Sequence, residues 1–283
     1  MDIGKLLIIG ANGQLGTALR ARYPEATAVD SAELDITDVT TVMQYGWSAF
    51  DTIINAAAYT NVDGAESAEG RVAAWKVNAT GARNLAAVAS AHDLTLVHVS
   101  TDYVFDGTND NHSETEVFSP LNVYGQSKAA GDLAVSLVPK HYNLRTTWVI
   151  GEGKNFVRTM QSLGERGIAP TVVADQIGRL TFTGELVNII DHLLTNVPEY
   201  GTYNATNSGE PVSWVEVTRE VFTLCGYDLT VSDTTTAEYF AGKTGIAPRP
   251  LNSVMNLEKL QATGFVSQDW HEALAVYIKK EQA

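Results

Sequence analysis

Tyr124-Gly125-Gln126-Ser127-Lys128 puts a phenol and an ammonium four positions apart, and Gly10-Ala11-Asn12-Gly13-Gln14-Leu15-Gly16 is a glycine-rich stretch able to cradle phosphate. On a helix, positions i and i+4 share a face one turn apart, so Lys128 would sit beside Tyr124. A phenol with a pKa near ~10 is a poor proton reservoir at neutral pH. An adjacent ammonium and a cationic nicotinamide both favour the phenolate, and a lowering of about two or three units, each worth about 1.4 kcal/mol, is expected at a partly desolvated site. The apolar run Thr95-Leu96-Val97-His98-Val99 ends at Ser100 and Thr101, where open α/β sheets gather ligands beyond their strand ends. Thr101 there could hydrogen-bond the oxygen that Tyr124 protonates. Tyr-x-x-x-Lys also occurs as a solvated helix pair, and Ser100-Thr101 also reads as a plain strand-ending turn. The chemistry, which would oxidise or reduce a carbon–oxygen bond with a nicotinamide cofactor, therefore needs all three groups to converge.

Several elements must position these groups. Leu6-Leu7-Ile8-Ile9 reads as a strand buried on both faces of a parallel sheet, and Leu15, Ala18 and Leu19 recur at helical spacing after Gly13. Glycines at this junction let the backbone turn tightly, approach a pyrophosphate and pack helix on strand, with free helix N–H groups facing the anion. The spacing here is Gly-x-x-Gly-x-x-Gly. Asp30 closes a second apolar segment, Ala26-Thr27-Ala28-Val29; there it would hydrogen-bond an adenosine ribose and favour a free 2′-hydroxyl, hence NADH, or stand as a strand-ending surface acid. Asp35 and Ile36 would bracket the adenine, and Asp38 has the position of a helix cap. Thr52-Ile53-Ile54 reads as a strand leading into Asn55-Ala56-Ala57-Ala58, whose small side chains would let a flat ring or ribose lie close, or would begin a helix.

Residues 72–91, rich in alanine with Asn78 inside, read as one long or broken helix, and Leu144-Arg145-Thr146-Thr147-Trp148-Val149 as a strand. Strand and helix alternate up to this point, so right-handed crossovers would build a doubly wound, parallel α/β sheet of Rossmann type. A dinucleotide-binding domain over 1–150 is expected, followed by a smaller mixed substrate domain over 151–283, part of which returns to the main sheet. The later helices are expected near 155–166, 184–194, 215–225 and 270–280, with short strands near 171–174 and 202–205. The polar run 107–112 reads as a surface loop able to act as a lid.

Lys and Arg total 19 against 33 Asp and Glu, a net charge of −14 over 283 residues, which argues against nonspecific binding to nucleic acid or a membrane surface. Cys225 is the sole cysteine, and the six histidines show no paired ligand spacing, so neither a disulfide nor a metal site is expected. No charged-then-apolar leader opens the chain, and no apolar run approaches the ~20 residues of a membrane span; the expected location is the cytoplasm.

Taken in order, the glycine loop, Asn55-Ala56-Ala57-Ala58-Tyr59-Thr60-Asn61-Val62-Asp63, Ser100-Thr101-Asp102-Tyr103-Val104-Phe105, Pro120-Leu121-Asn122-Val123-Tyr124-Gly125, Arg145-Thr146-Thr147-Trp148-Val149 and Arg249-Pro250-Leu251-Asn252-Ser253 give a pattern that resembles the extended short-chain dehydrogenases and, within them, the dTDP-4-dehydrorhamnose reductase family. The resemblance covers nearly the whole chain. It implies NADH- or NADPH-dependent reduction of the C4 ketone of a dTDP-linked 4-keto-6-deoxysugar, dTDP-4-dehydro-L-rhamnose, to dTDP-L-rhamnose for surface polysaccharides. Carried over by position, Tyr124 is the proton donor, Lys128 lowers its pKa and binds the nicotinamide ribose, and Thr101 polarises the ketone. Gly10, Asn12, Gly13, Gln14, Leu15, Gly16, Asp30, Asp35, Ile36, Ala56, Ala57, Ala58, Tyr59 and Thr60 would hold the dinucleotide. Asp102 and Trp148 would touch the sugar, and Asn155 and Arg249 the diphosphate.

Two positions depart from the family pattern. In Asp175-Gln176-Ile177-Gly178-Arg179-Leu180-Thr181, Leu180 replaces a proline, and Ala18 stands where some members carry a glutamate that binds magnesium between subunits, which argues against a metal-bridged homodimer. On the same scaffold an epimerase or dehydratase would use the same Tyr124 and Lys128. A dehydratase needs an acid and then a glutamate after the threonine, however, and Asp102-Tyr103 fits that poorly. A noncatalytic regulatory subunit, like the reductase-like partner of methionine adenosyltransferase, would keep only the nucleotide site.

Overall fold

The computed structural model describes residues 2–282. Strands β1 (Leu6–Ile9), β2 (Thr27–Val29), β3 (Thr52–Asn55), β4 (Thr95–Thr101) and β5 (His141–Thr146), with a late strand Gly201–Asn204, form one parallel sheet in the order late strand, β5, β4, β3, β1, β2. The order reverses between β1 and β3, the kind of switch point at which a crevice opens beyond the strand ends. All four residues of β1 are buried, and they alternate between faces as strand geometry requires. Leu6 and Ile8 pack with Leu15 and Leu19 of helix α1 (Gln14–Arg22) and with the helix Thr183–Asn196, while Leu7 and Ile9 pack with Leu85 and Val88 on the other face. Each such side chain contributes about 1.5–3 kcal/mol by leaving water.

The Ala-rich region is a continuous rod: helix Ala68–Ala74, a π-helical turn Trp75–Gly81 and helix Ala82–Ala91. The helix Val123–Val135 crosses it so closely that a Cβ at Gly131 would collide with the Asn78 carbonyl, and it packs as tightly on the turn after β4, where a Cβ at Gly125 would collide with the Tyr103 carbonyl. Asp38 caps the short helix Val39–Gln44 by accepting from Thr40 N.

A third core, built around Ile150, Val157, Val172, Leu180, Val217, Phe222 and Leu274, lies in the later chain. Leu180, in the position of the family's proline, is fully buried there. The strand expected through Val149 stops at Thr146 instead: Trp148 takes a left-handed conformation (φ 46°), and Val149–Ile150 turns away to pair with Thr181–Phe182. Two short strands lacking any periodic signal also form, Ser232–Thr234 beside Thr171–Val173 and Val212–Ser213 against Ile177–Gly178.

The run 107–112 lies at the surface, but its end is pinned. His112 is fully buried and stacked on Phe105 (centroids 4.7 Å apart); its backbone N donates to Val254 O and its O accepts from Asn256 N. The end of the loop is thus fixed to the segment 254–256. Among the described residues no helix is long and apolar enough to cross a membrane.

Candidate active site

The glycine loop is shaped by backbone contacts. Gly10 has φ 85°, and a Cβ on it would come within 2.6 Å of Ala57 N; one on Gly16 would collide with the Gly10 carbonyl. Gly13, the N-cap of α1, is different, since its nearest neighbour to an added Cβ is 3.5 Å away. Its lack of a side chain leaves room on the crevice side for an anion to approach the helix N-terminus. Asp30 Oδ2 accepts from Asn12 N (3.1 Å) and Oδ1 from Ser31 N (2.8 Å). The carboxylate thus sits at the outer edge of the loop with lone pairs remaining.

Beyond the loop runs a crevice of about 700 Å³ lined by Asn12, Gly13, Gln14 and Leu15, then Ala56, Ala58 and Thr60, then Ser100, Thr101, Asp102, Tyr124 and Lys128, and finally Trp148 and Trp214. The expected phenol, ammonium and hydroxyl therefore face one space. Gln14 Oε1, Ser100 Oγ and Thr146 Oγ1 are buried without a hydrogen-bond partner and line that space. Orphaned polar atoms of this kind suit a polar ligand such as a dinucleotide.

Tyr124 and Lys128 lie in helix Val123–Val135, whose start is fixed by Asn122: its Oδ1 accepts from Gly125 N (2.8 Å) and its Nδ2 donates to Pro248 O (2.8 Å). Asn78, in the π turn, holds three groups at once. Its Oδ1 accepts from Tyr59 N (2.8 Å), and its Nδ2 donates to Tyr59 O (3.1 Å) and Ser127 Oγ (3.0 Å). A wide turn at a functional site is a recurring use of the π-helix. Tyr59 thus contributes through its fastened backbone, and Ala57 N donates to Asn55 Oδ1 (3.1 Å). Asn55 Nδ2 meets His98 Nδ1 (2.9 Å), and His98 Nε2 lies 3.4 Å from Lys128 Nζ. Burial and the neighbouring Lys128 hold His98 well below the usual imidazole range, so it is neutral.

The expected lowering of the Tyr124 pKa is not what the fold produces. Burial pushes the phenol up; a hydrogen bond with the Thr101 hydroxyl opposes this, and Asp102 and Asp132 add to the rise. The Lys128 ammonium is drawn instead to Val99 O at 2.6 Å, and burial pulls its pKa down to about 8 against the pull of Asp132. Thr101 Oγ1 donates to Asp102 Oδ1 (2.9 Å) and accepts from Tyr103 N (3.2 Å). Asp102, buried, also accepts from Ser253 Oγ (2.5 Å); desolvation raises its pKa while these hydrogen bonds oppose the rise. Its carboxylate is thereby engaged with protein partners at the crevice wall.

Four expected ligands are not among the residues lining this crevice. Ile36 is buried in the core, close beneath Gly81, while Asp35 is exposed and accepts from Thr37 N (2.9 Å). Asn155 is the N-cap of helix Phe156–Glu165, accepting from Arg158 N (3.0 Å) and donating to Gly151 O (2.8 Å) and Tyr277 OH (2.9 Å). Arg249 places its fork on Asp63 (2.7 and 2.9 Å) and its Nη1 on Ala247 O (2.5 Å). Asn78, Asn55, His98 and Ser253 also support the site; Asn55, His98 and Ser253 lie within the quoted segments and Asn78 stands as a lone asparagine in an alanine-rich helix, but their supporting roles carry no local signature. Ala18 faces a second cavity, of about 410 Å³, lined also by Glu152, Glu185 and Glu281.

The geometry has counterparts among known proteins. The family profile described as RmlD substrate binding domain matches residues 4–283. The dTDP-4-dehydrorhamnose reductase of Aggregatibacter actinomycetemcomitans is 41% identical over 300 residues, covering 96% of this chain and 97% of the relative. The crystal structure of a dTDP-4-dehydrorhamnose reductase from Clostridium acetobutylicum superposes with a TM-score of 0.90 at 36% identity, covering 98% of this chain and 99% of that one. The Bacillus anthracis dTDP-4-dehydrorhamnose reductase in complex with NADP gives 0.88 at 36% identity, with 97% of each chain covered.

Proposed function

We propose, from the premise that the chain belongs to the RmlD substrate binding domain family, that it reduces the C4 ketone of dTDP-4-dehydro-L-rhamnose to dTDP-L-rhamnose in the cytoplasm, using NADPH or NADH. The observation that carries this reading is the convergence of Tyr124, Lys128 and Thr101 on the crevice that the glycine loop opens. The loop, Asp30 and the Ala56–Thr60 wall hold the dinucleotide, which when bound supplies the hydride that reduces the ketone carbon. Tyr124 gives its phenolic proton to the ketone oxygen, and its raised pKa keeps that proton in place until then. Thr101 has one proton, and it lies on Asp102; turned onto the carbonyl, it polarises the bond. Lys128, held by Val99 O, offers its charge to the resulting phenolate and its remaining N–H groups to a ribose.

Residues 1–150 act as the dinucleotide-binding unit and 151–283 mainly as the sugar-binding unit. The late strand Gly201–Asn204, hydrogen-bonded to β5, ties the second to the first. With Ala18 contributing no carboxylate, a magnesium-bridged dimer is disfavoured.

The purified chain is expected to oxidise NADPH or NADH in the presence of dTDP-4-dehydro-L-rhamnose, and to discriminate among dTDP-, UDP- and GDP-linked keto sugars. Tight binding of a protein partner with no turnover on any of them would favour the regulatory role instead.

A further inference from the structure

Trp148 and Trp214 are stacked with ring centroids 3.7 Å apart and planes 18° from parallel, and both line the crevice. This is the one indole–indole pair among the described residues. Phe156 packs against Trp214 at 4.3 Å and 47°. Trp148 sits in a left-handed backbone conformation, which bulky residues adopt only where surrounding contacts over-determine it.

Those contacts form a closed circuit. The Trp148 indole lies against Gly178, where an added Cβ would come within 2.9 Å of the ring, and Thr181 N donates to Trp148 O at 3.1 Å. Gly178 pairs across the short antiparallel ladder with Val212, two positions before Trp214. Trp214 is the first residue of helix Trp214–Cys225, and its backbone is set by a capping box: Ser213 Oγ accepts from Glu216 N (3.3 Å), and the Glu216 carboxylate accepts from Ser213 N (2.8 Å). A capping box fixes the direction in which a helix begins. The helix start therefore aims Trp214 at Trp148 from one side while Gly178 supports it from another.

We propose that Trp214 is a positioning residue that clamps the Trp148 indole as a rigid wall for the sugar ring of a nucleotide-sugar, and so sets affinity for that substrate. This rests on the functional reading above. A rigid indole offers an apolar face to the C–H groups of a sugar at little entropic cost. A loose one would have to be ordered at each binding event.

The test compares Trp214→Ala and Trp214→Phe with the parent chain. Trp214→Ala is expected to raise KM for dTDP-4-dehydro-L-rhamnose about tenfold, with kcat within about threefold and Kd for NADPH unchanged; Trp214→Phe, which keeps a stacking ring, recovers most of the loss. An independent readout comes from circular dichroism, since two stacked indoles give an exciton couplet. That couplet should be present in the parent chain, vanish in both Trp214 variants and in Trp148→Phe, and change on adding the nucleotide-sugar. An unmoved KM in folded Trp214→Ala overturns the proposal, as does a parent spectrum without the couplet. If Trp214→Ala does not fold, Trp214→Phe and the couplet decide. Failure of the parent chain to turn over any keto sugar would sink the functional reading instead, leaving the couplet and its response to dTDP to judge the clamp.

Discussion

The two ends of the crevice are built differently. At the dinucleotide end, one contiguous loop does the shaping through absent side chains: Gly10 and Gly16 avoid collisions with the backbone, and Gly13 leaves room for an anion. At the end proposed for the sugar the wall is formed by Asp102, Trp148 and Trp214 and backed by Gly178 and Ser253, drawn from segments far apart in the chain and joined by side-chain contacts. Between them, the helix Val123–Val135 places Tyr124 and Lys128 on the crevice, where the proposed function has both ligands meet. A backbone-shaped end tolerates few substitutions and serves a constant ligand, whereas a side-chain-shaped end can be retuned one residue at a time.

The contrast can be broken most forcefully at its centre. Tyr124→Phe removes the proton donor and should reduce turnover at least ~100-fold while leaving NADPH affinity, read by fluorescence titration, within a few-fold. Retained turnover would remove Tyr124 from the mechanism. The glycine end comes next. Gly16→Ala forces a Cβ into the Gly10 carbonyl and is expected to cost about 2–3 kcal/mol in urea unfolding; Gly13→Ala should fold normally yet weaken NADPH binding about tenfold. Equal stability losses in the two variants would contradict the division of roles among these glycines.

A smaller effect follows from Lys128, whose pKa burial has brought to about 8. Its charge is lost as pH rises through that value, so kcat/KM, which reports the free enzyme, should fall on the alkaline side with a midpoint near 8. The unfolded chain keeps the lysine protonated to about 10.4. Between those values it binds more protons than the folded chain, and the linkage makes stability rise with pH by on the order of 1–2 kcal/mol. Urea unfolding of the parent chain and Lys128→Met at pH 7.5 and 9.5 checks the sign, and an identical pH response in the two would contradict it. The smallest change is expected at Asn155. As a helix cap, Asn155→Ala should lower stability by about 1–2 kcal/mol with KM for the sugar nucleotide unaltered, whereas a raised KM would return it to the substrate site.

The sequence disclosed most where function follows local spacing. β1, α1, the helix carrying Tyr124 and Lys128, and the grouping of Thr101 with them follow from apolar runs, glycine spacing and the i, i+4 rule. Pairings across long sequence distances carry no local signature. Nothing near Ile177 announces Val212 as its neighbour's partner, and no periodicity ends β5 at Thr146, where Trp148 reverses the chain. Arg249 and Asn155 fit a diphosphate by type, but a fork and an amide fit Asp63 and a helix end equally well, and those are the partners the fold gives them. Spacing shows Lys128 beside Tyr124 and so predicts a lowered phenol pKa, but it does not show that the ammonium bonds Val99 O or how deeply the hydroxyl is buried, and burial raises that pKa.

The central claim is that Tyr124, Lys128 and Thr101 serve a carbonyl lying between a nicotinamide and the tryptophan wall. Incubating the chain with dTDP-4-dehydro-L-rhamnose and NADPH deuterated at the transferable position, then reading the product by NMR, tests it directly. Deuterium at C4 of dTDP-L-rhamnose is the expected result; intact cofactor and unchanged keto sugar would contradict it.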